Sequence, residues 1–119
     1  KIGERNSNFE SKEKRVACYV NRPKNKVYLP SQKYQQLICN QYCRDQNLYP
    51  VLYETELSNF DYYPVLNDLI EGTWKNYFHH LVVFSKNNFP KNKKKFNHVL
   101  KKIKQNRKTL HFVLEDKII

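Results

Sequence analysis

Apolar side chains along this chain come in short bursts separated by polar breaks, and the spacing inside each burst sets its geometry. Val16, Ala17, Cys18, Tyr19 and Val20 form a run of strand formers too short for a helix and halted by Pro23, which predicts a first strand. Asn21 to Pro30 reads as a basic loop. Ser31 can then cap a helix in which Tyr34, Leu37, Ile38 and Tyr42 keep a three-four spacing, interrupted by polar Gln41, to about Gln46. Leu48 to Glu54 reads as a second strand, with Pro50 tolerable only near an end or on an edge. Asp61 or Tyr62 opens a second helix with Pro64 in its first turn; Val65, Leu66, Leu69 and Ile70 form its stripe and Gly72 ends it.

Leu81, Val82, Val83 and Phe84 form a continuous apolar run of the kind buried on both faces of a parallel sheet, the third strand. Asn87, Asn88 and Pro90 break the chain. Phe96, Val99, Leu100 and Ile103 mark a third helix whose other positions are mainly lysine and asparagine, and Thr109 to Leu114 supplies a fourth strand. Residues 1 to 14, with Gly3, Asn6, Ser7 and Asn8, show no sustained apolar period and read as a mobile arm, so one domain is expected from 15 to 119.

Alternating strands and helices with connections long enough for crossovers predict an α/β fold in three layers: a mainly parallel four-stranded sheet with helices on both faces. In such sheets the ligand crevice lies beyond the carboxyl ends of the strands, here Asn21 to Pro30, Glu54 to Asp61 and Ser85 to Lys91. Those loops are where chemistry is to be sought.

Charge sharpens the picture because it is unevenly placed. The chain of 119 residues carries 22 Lys and Arg against 11 Asp and Glu, and residues 72 to 114 hold eleven cations and no anion. Lys91, Lys93, Lys94, Lys95, Lys101, Lys102, Lys104, Arg107 and Lys108 form the densest part. Clustered cations gain free energy by releasing counterions from a phosphate backbone, but a lysine-rich helix can also be a plain solvated face, so charge alone leaves both open. No stretch approaches the roughly 18 to 20 apolar residues that span a bilayer, and Lys1 to Arg15 has no apolar core. The expectation is a cytoplasmic protein without a membrane partner, associated with the nucleoid or nucleus if it binds DNA.

Cys18, Cys39 and Cys43 are too few for a closed disulfide framework. Cys39 and Cys43, four apart on a helix, could share a metal with His79 and His80. Adjacent histidines near a strand point to opposite faces, however, so the cysteines are read as small apolar residues and no metal is assigned. With only Gly3 and Gly72 there is no glycine-rich phosphate loop. Glu54, Glu56 and Asp61 could gather around magnesium, but are read as solvated loop acids.

The crevice loops carry a recognisable set of landmarks. Tyr19, Val20, Asn21, Arg22 and Pro23 end the first strand; Ser31 and Gln35 open the first helix; Glu54, Ser58 and Asn59 follow the second strand; Tyr63 and Pro64 open the second helix; and Asn87, Asn88 and Lys91 follow the third strand. From Arg15 to Asp116 this framework resembles the catalytic domain of the serine recombinases, the resolvase and invertase family.

The resemblance implies a resolvase catalytic-domain-like sheet in flavodoxin-like order 2-1-3-4. It also implies which groups have changed. Where the family has arginine and the nucleophilic serine, this chain has Asn21 and Pro23. Tyr63 stands for a further arginine, and Asn87, Asn88 and Lys91 stand for an Asp-Arg pair and a last arginine. Ser31 and Gln35 match the family, and Ser58 takes the place of a family serine. Family enzymes join serine to a DNA phosphate while arginines neutralise the developing charge. Proline has no nucleophilic atom. Ser31, Ser58 and Ser85 each lack an arginine constellation, and Ser31 is explained as a helix cap.

The expectation is therefore a recombinase-like pseudoenzyme without a cofactor, in a DNA recombination or mobile-element setting. Arg22, Lys24, Lys26, Lys86, Lys91, Lys93, Lys94 and Lys95 would contact the phosphates of nucleic acid, duplex DNA foremost. The family's DNA-reading helix-turn-helix lies beyond the matched region, so little sequence readout is expected. The alternative is a protein-interaction or dimerisation module that pairs with itself or with an active recombinase.

Overall fold

The computed structural model describes residues 12–22, 29–57 and 63–119, so the expected arm is described only at its end, where Lys12–Lys14 form a 3-10 turn. Eight regular elements follow in chain order: β1 Arg15–Asn21, α1 Gln32–Asp45, β2 Tyr49–Glu56, α2 Pro64–Glu71, β3 His80–Val83, α3 Lys93–Gln105, β4 Thr109–Phe112 and β5 Lys117–Ile118. Further 3-10 turns lie at Thr73–Asn76 and Lys86–Asn88.

The sheet order is β2-β1-β3-β4-β5, with the first four strands parallel, as the alternation and the resemblance predict. The expectation of four strands needs one correction. Val113 to Asp116 turn the chain, with Asp116 at φ 53° and its N–H on the Val113 carbonyl, and β5 returns antiparallel to β4. The fourth strand therefore stops at Phe112 rather than Leu114. A strand of two residues has no alternation from which to infer it.

Pro50 sits where its missing N–H does least harm. It lies near the start of edge strand β2, and the register skips Val51 so that Val16 faces Pro50 while Ala17 faces Leu52. Two helices end in left-handed residues that are not glycine, Asn47 at φ 60° after α1 and Arg107 at φ 57° after α3. In each the following N–H reaches back to the last turn, Leu48 to Cys43 and Lys108 to Ile103.

Helices cover both faces of the sheet. Ala17, Tyr19, Leu81, Val83, Leu110 and Phe112 pack against Leu66, Leu69 and Ile70 of α2 and Val99 and Ile103 of α3. Val16, Cys18 and Val82 point the other way, onto Cys39 and Cys43 of α1. The period of two along each strand feeds two cores, which is why the runs are continuously apolar. Among the described residues, no helix is long and apolar enough to cross a membrane.

Candidate functional site

The carboxyl ends of β1 and β3 and the first turn of α1 meet in a closed set of amides. Asn21 Nδ2 donates to Tyr19 Oη at 3.0 Å and to the Asn88 carbonyl at 2.8 Å. Asn88 Nδ2 donates to Asn21 Oδ1 at 2.7 Å and to Gln35 Oε1 at 2.8 Å. Gln35 Nε2 donates to the carbonyls of Asn21 at 2.7 Å and Pro30 at 2.9 Å. The circuit closes through Ser85, whose N–H donates to Asn88 Oδ1 at 2.9 Å. Asn21, Gln35, Ser85 and Asn88 are all 0% exposed. Every side-chain amide atom of the three residues has a partner, so neutral dipoles fill this part of the crevice without an uncompensated charge.

Three elements bring these residues together. β1 carries Tyr19 and Asn21 on alternate positions of one face. α1 starts at Ser31, whose Oγ accepts the Tyr34 N–H, and the cap sets Gln35 one turn further on. The 3-10 turn after β3 is held by a capping box, in which Ser85 Oγ accepts the Asn87 N–H and Asn88 reaches back to Ser85. Ser85 Oγ donates to Glu115 Oε2 at 2.6 Å, and Glu115 Oε1 accepts the Lys86 N–H at 3.1 Å. The Ser85 hydroxyl is thus a buried brace between the turn and Glu115. Asn87 is half-buried and Lys91 exposed on the same loop. Pro23, Lys24, Lys26, Ser58 and Asp61 lie outside the described residues.

The reading of Glu56 as a solvated loop acid is overturned. Its carboxylate is 3% exposed and accepts the Tyr19 hydroxyl at 2.8 Å and the N–H groups of Val65 and Leu66 at 3.0 and 3.1 Å. It caps α2 from another element, because Tyr63 at the N-cap supplies no side-chain acceptor. Burial, and then the neighbouring Glu56 carboxylate, push the Tyr19 phenol well above the usual tyrosine range. Glu54 is half-buried within β2 rather than in a loop. Sequence inspection named Glu56 without its capping role and did not name Glu115. The sequence suggests Asp61 or Tyr62 as the helix start, whereas α2 begins at Pro64 behind Tyr63, which has no side-chain acceptor to cap it.

The cations separate into two kinds. Lys86, Lys91, Lys93, Lys94 and Lys95 are exposed on the loop after β3 and the first turn of α3. Arg22 is exposed at the end of β1, its Nε donating to the Leu29 carbonyl at 3.0 Å. Lys108, which the sequence groups with the basic block, belongs elsewhere. Its ammonium donates to the carbonyls of Lys75 and Phe78 and lies 4.4 Å from the centre of the Phe78 ring, and burial lowers its pKa. It closes the connection between α2 and β3.

Cys18, Cys39 and Cys43 are buried together beneath α1. A hydrogen bond with Cys43, then burial, raise the Cys18 pKa, and burial pushes Cys39 up to about 12, so neither is poised to ionise. His80 turns to His111 and His79 is exposed. Among the described residues, no three His, Cys, Asp or Glu are grouped to hold a metal ion.

The sequence matches no family model and no curated protein. The backbone does have relatives among solved structures. It is similar to the N-terminal catalytic domain of TP901-1 integrase, with a TM-score of 0.76 over 88% of this chain and 81% of that one at 14% identity. It is also similar to a resolvase family site-specific recombinase from Streptococcus pneumoniae, with a TM-score of 0.67 over 87% of this chain and 74% of the other, again at 14% identity. The chain therefore has the resolvase catalytic-domain-like fold that Tyr19 and Gln35 implied. Likeness at this identity is one of architecture, and function has to be argued from the site.

Proposed function

We propose that this is a catalytically silent domain of resolvase-like fold that binds nucleic acid, duplex DNA foremost, through the phosphates and with little sequence readout. The setting that fits is DNA recombination or a mobile element. The observation that carries the reading is the first turn of α3. Lys93, Lys94 and Lys95 stand there with no acidic residue, at the end of a helix where the backbone dipole is already positive. That arrangement works against helix stability, and a bound phosphate would relieve it. Lys86 and Lys91 extend the same exposed charge to the crevice, with Arg22 at the end of the neighbouring strand and Lys24 and Lys26 following it in sequence.

Silence in catalysis is supported by the amide circuit. Positions at which the family has arginines are occupied by Asn21 and Asn88, side chains already committed to each other and to Gln35. Pro23 offers no nucleophilic atom. A guanidinium at either asparagine would be a buried charge without a counter-ion.

The test is binding of the full chain to a labelled duplex, followed by anisotropy at several salt concentrations. Affinity should fall steeply with salt and vary little with sequence, and joint reversal of Lys93, Lys94 and Lys95 to glutamate should abolish it while the fold persists. Absence of binding at low salt would remove the proposal, as would a covalent protein–DNA adduct for its catalytic half.

A second reading, a protein-interaction or dimerisation module, is favoured by the outer face of α1. Leu37 is 63% and Tyr34 49% exposed there, beside a shallow hollow of about 460 Å³ that also includes Lys33, Gln36 and Asn40. Under that reading Leu37→Lys changes the mass in solution or the capture of a recombinase partner, and the lysine reversal leaves both unaltered.

A further inference from the structure

Beyond the carboxyl end of β3 lies an open cavity of about 340 Å³ whose wall combines Phe89, Pro90 and Phe96 with Lys86, Lys91 and Lys93. We propose that this cavity takes one unpaired nucleobase of a nucleic-acid strand, stacked against Phe96, with the flanking phosphates on Lys86, Lys91 and Lys93. The inference rests on the phosphate-binding reading above but departs from it in substrate class: the preferred partner becomes a single strand, or a duplex with a gap or unpaired base, in place of the intact duplex.

The aromatic wall is preformed. Phe96 lies nearly parallel to Phe112, at 16° and 6.4 Å between centroids, and meets the edge of Phe89 at 61° and 6.0 Å. Phe89 in turn packs edge-on to Phe112 at 75° and 5.3 Å. Phe89 and Phe112 are buried, whereas Phe96 is half-buried and lines the cavity. A base entering there would extend a stack already held by the core, so little ordering is left to bind it.

Charge completes the match. Among the described residues no carboxylate lines the cavity, and its three lysines are exposed around the apolar wall. The pairing of a stacking surface with cations that follow a backbone is what single-strand binding uses. An acidic peptide would satisfy the lysines and leave the aromatic wall without a partner. A paired base is held inside its own stack and reaches the cavity only after unstacking, which disfavours intact duplex at this site.

The experiment uses the full chain and a short thymidine oligonucleotide with one central 2-aminopurine, whose fluorescence falls when the base stacks. Binding should quench the probe, and the oligonucleotide should bind at least about tenfold more tightly than a blunt duplex at equal salt. Phe96→Leu, which keeps an apolar side chain, should remove the quench and weaken single-strand binding by about 5- to 100-fold, the loss expected for one stacked base, with duplex affinity unchanged. Wild-type protein that binds the probe without quenching overturns the inference whether or not the variant folds. So does preference for the duplex, or equal displacement of the oligonucleotide by polyglutamate. Salt-dependent duplex binding without the quench would leave the broader proposal standing, whereas failure to bind any nucleic acid would overturn both.

Discussion

Glu56 ends β2 with its carboxylate folded under the first turn of α2, and three donors depend on it. Removing it leaves the Tyr19 hydroxyl proton and the Val65 and Leu66 N–H groups without their acceptor, so Glu56→Ala should cost about 3 kcal/mol, read as a lower urea midpoint. A cost below about 0.5 kcal/mol would show that water or another side chain takes over the cap. The histidines make a second case. His80 Nε2 lies 2.7 Å from the Glu13 carbonyl, which can only accept, so it must carry the proton. His80 Nδ1 then accepts from His111 Nε2 at 2.8 Å, and His111 Nδ1 accepts from the Tyr42 hydroxyl at 2.7 Å. One order of protons runs through all four groups, and it needs both rings neutral. Burial, with His80 as the lesser cause, lowers His111 to about 4, and burial also lowers His80. Below pH about 6.5 the unfolded chain therefore takes up protons that the folded one refuses. Stability should be level above that pH and decline toward pH 4 by an amount on the order of 2–3 kcal/mol. Urea midpoints across this range measure the loss, and a His111 ring titrating near its ordinary value by NMR would contradict it.

α3 shows an element whose local sequence opposes its own stability. Asn92 caps it, Oδ1 accepting the Lys95 N–H at 3.0 Å, and the three lysines that follow face the positive end of the dipole. Asn92→Asp keeps the acceptor and adds a negative charge, so it should raise stability by about 0.5–1 kcal/mol, with an unchanged or lower urea midpoint as the contrary result. Under the proposed function the same change weakens duplex binding by opposing the lysines. The helix itself was legible from Phe96, Val99, Leu100 and Ile103, since the three-four spacing matches the stripe turned to the core. Its tie to α2, Asn106 Nδ2 on the Ile70 carbonyl at 2.6 Å, was not, because it joins helix ends with β3 between them in the chain. β5 was illegible for a different reason: Lys117 and Ile118 form a strand only because Phe112 and His111 are already beside them.

The whole molecule has a formal charge of +11, and the segment that carries the surplus enters the sheet as β3 and leaves it as β4. Parallel strands put the connection between β3 and α3 at the same edge as the end of β1, so Arg22 and the lysines from 86 to 95 belong to one end of the fold. If about five of these cations meet phosphates, the slope of log affinity against log salt on duplex DNA should be about −4 to −5. A slope near zero would mean that the charge serves solvation. Asn21 and Asn88, 67 residues apart, fill that end with hydrogen bonds rather than charge.

Residue order alone determined the kind and sequence of the main elements, the parallel sheet and the concentration of positive charge. Helix and strand periods are local, and each strand-helix-strand unit has one favoured hand, so those features follow from neighbours along the chain. Tertiary structure decided that Asn21, Gln35 and Asn88 satisfy one another, that Glu56 caps a helix it does not precede directly, and that Lys108 turns inward over Phe78. A buried polar atom needs a partner within about 3 Å, and which partner is that close is settled only when the two cores have packed.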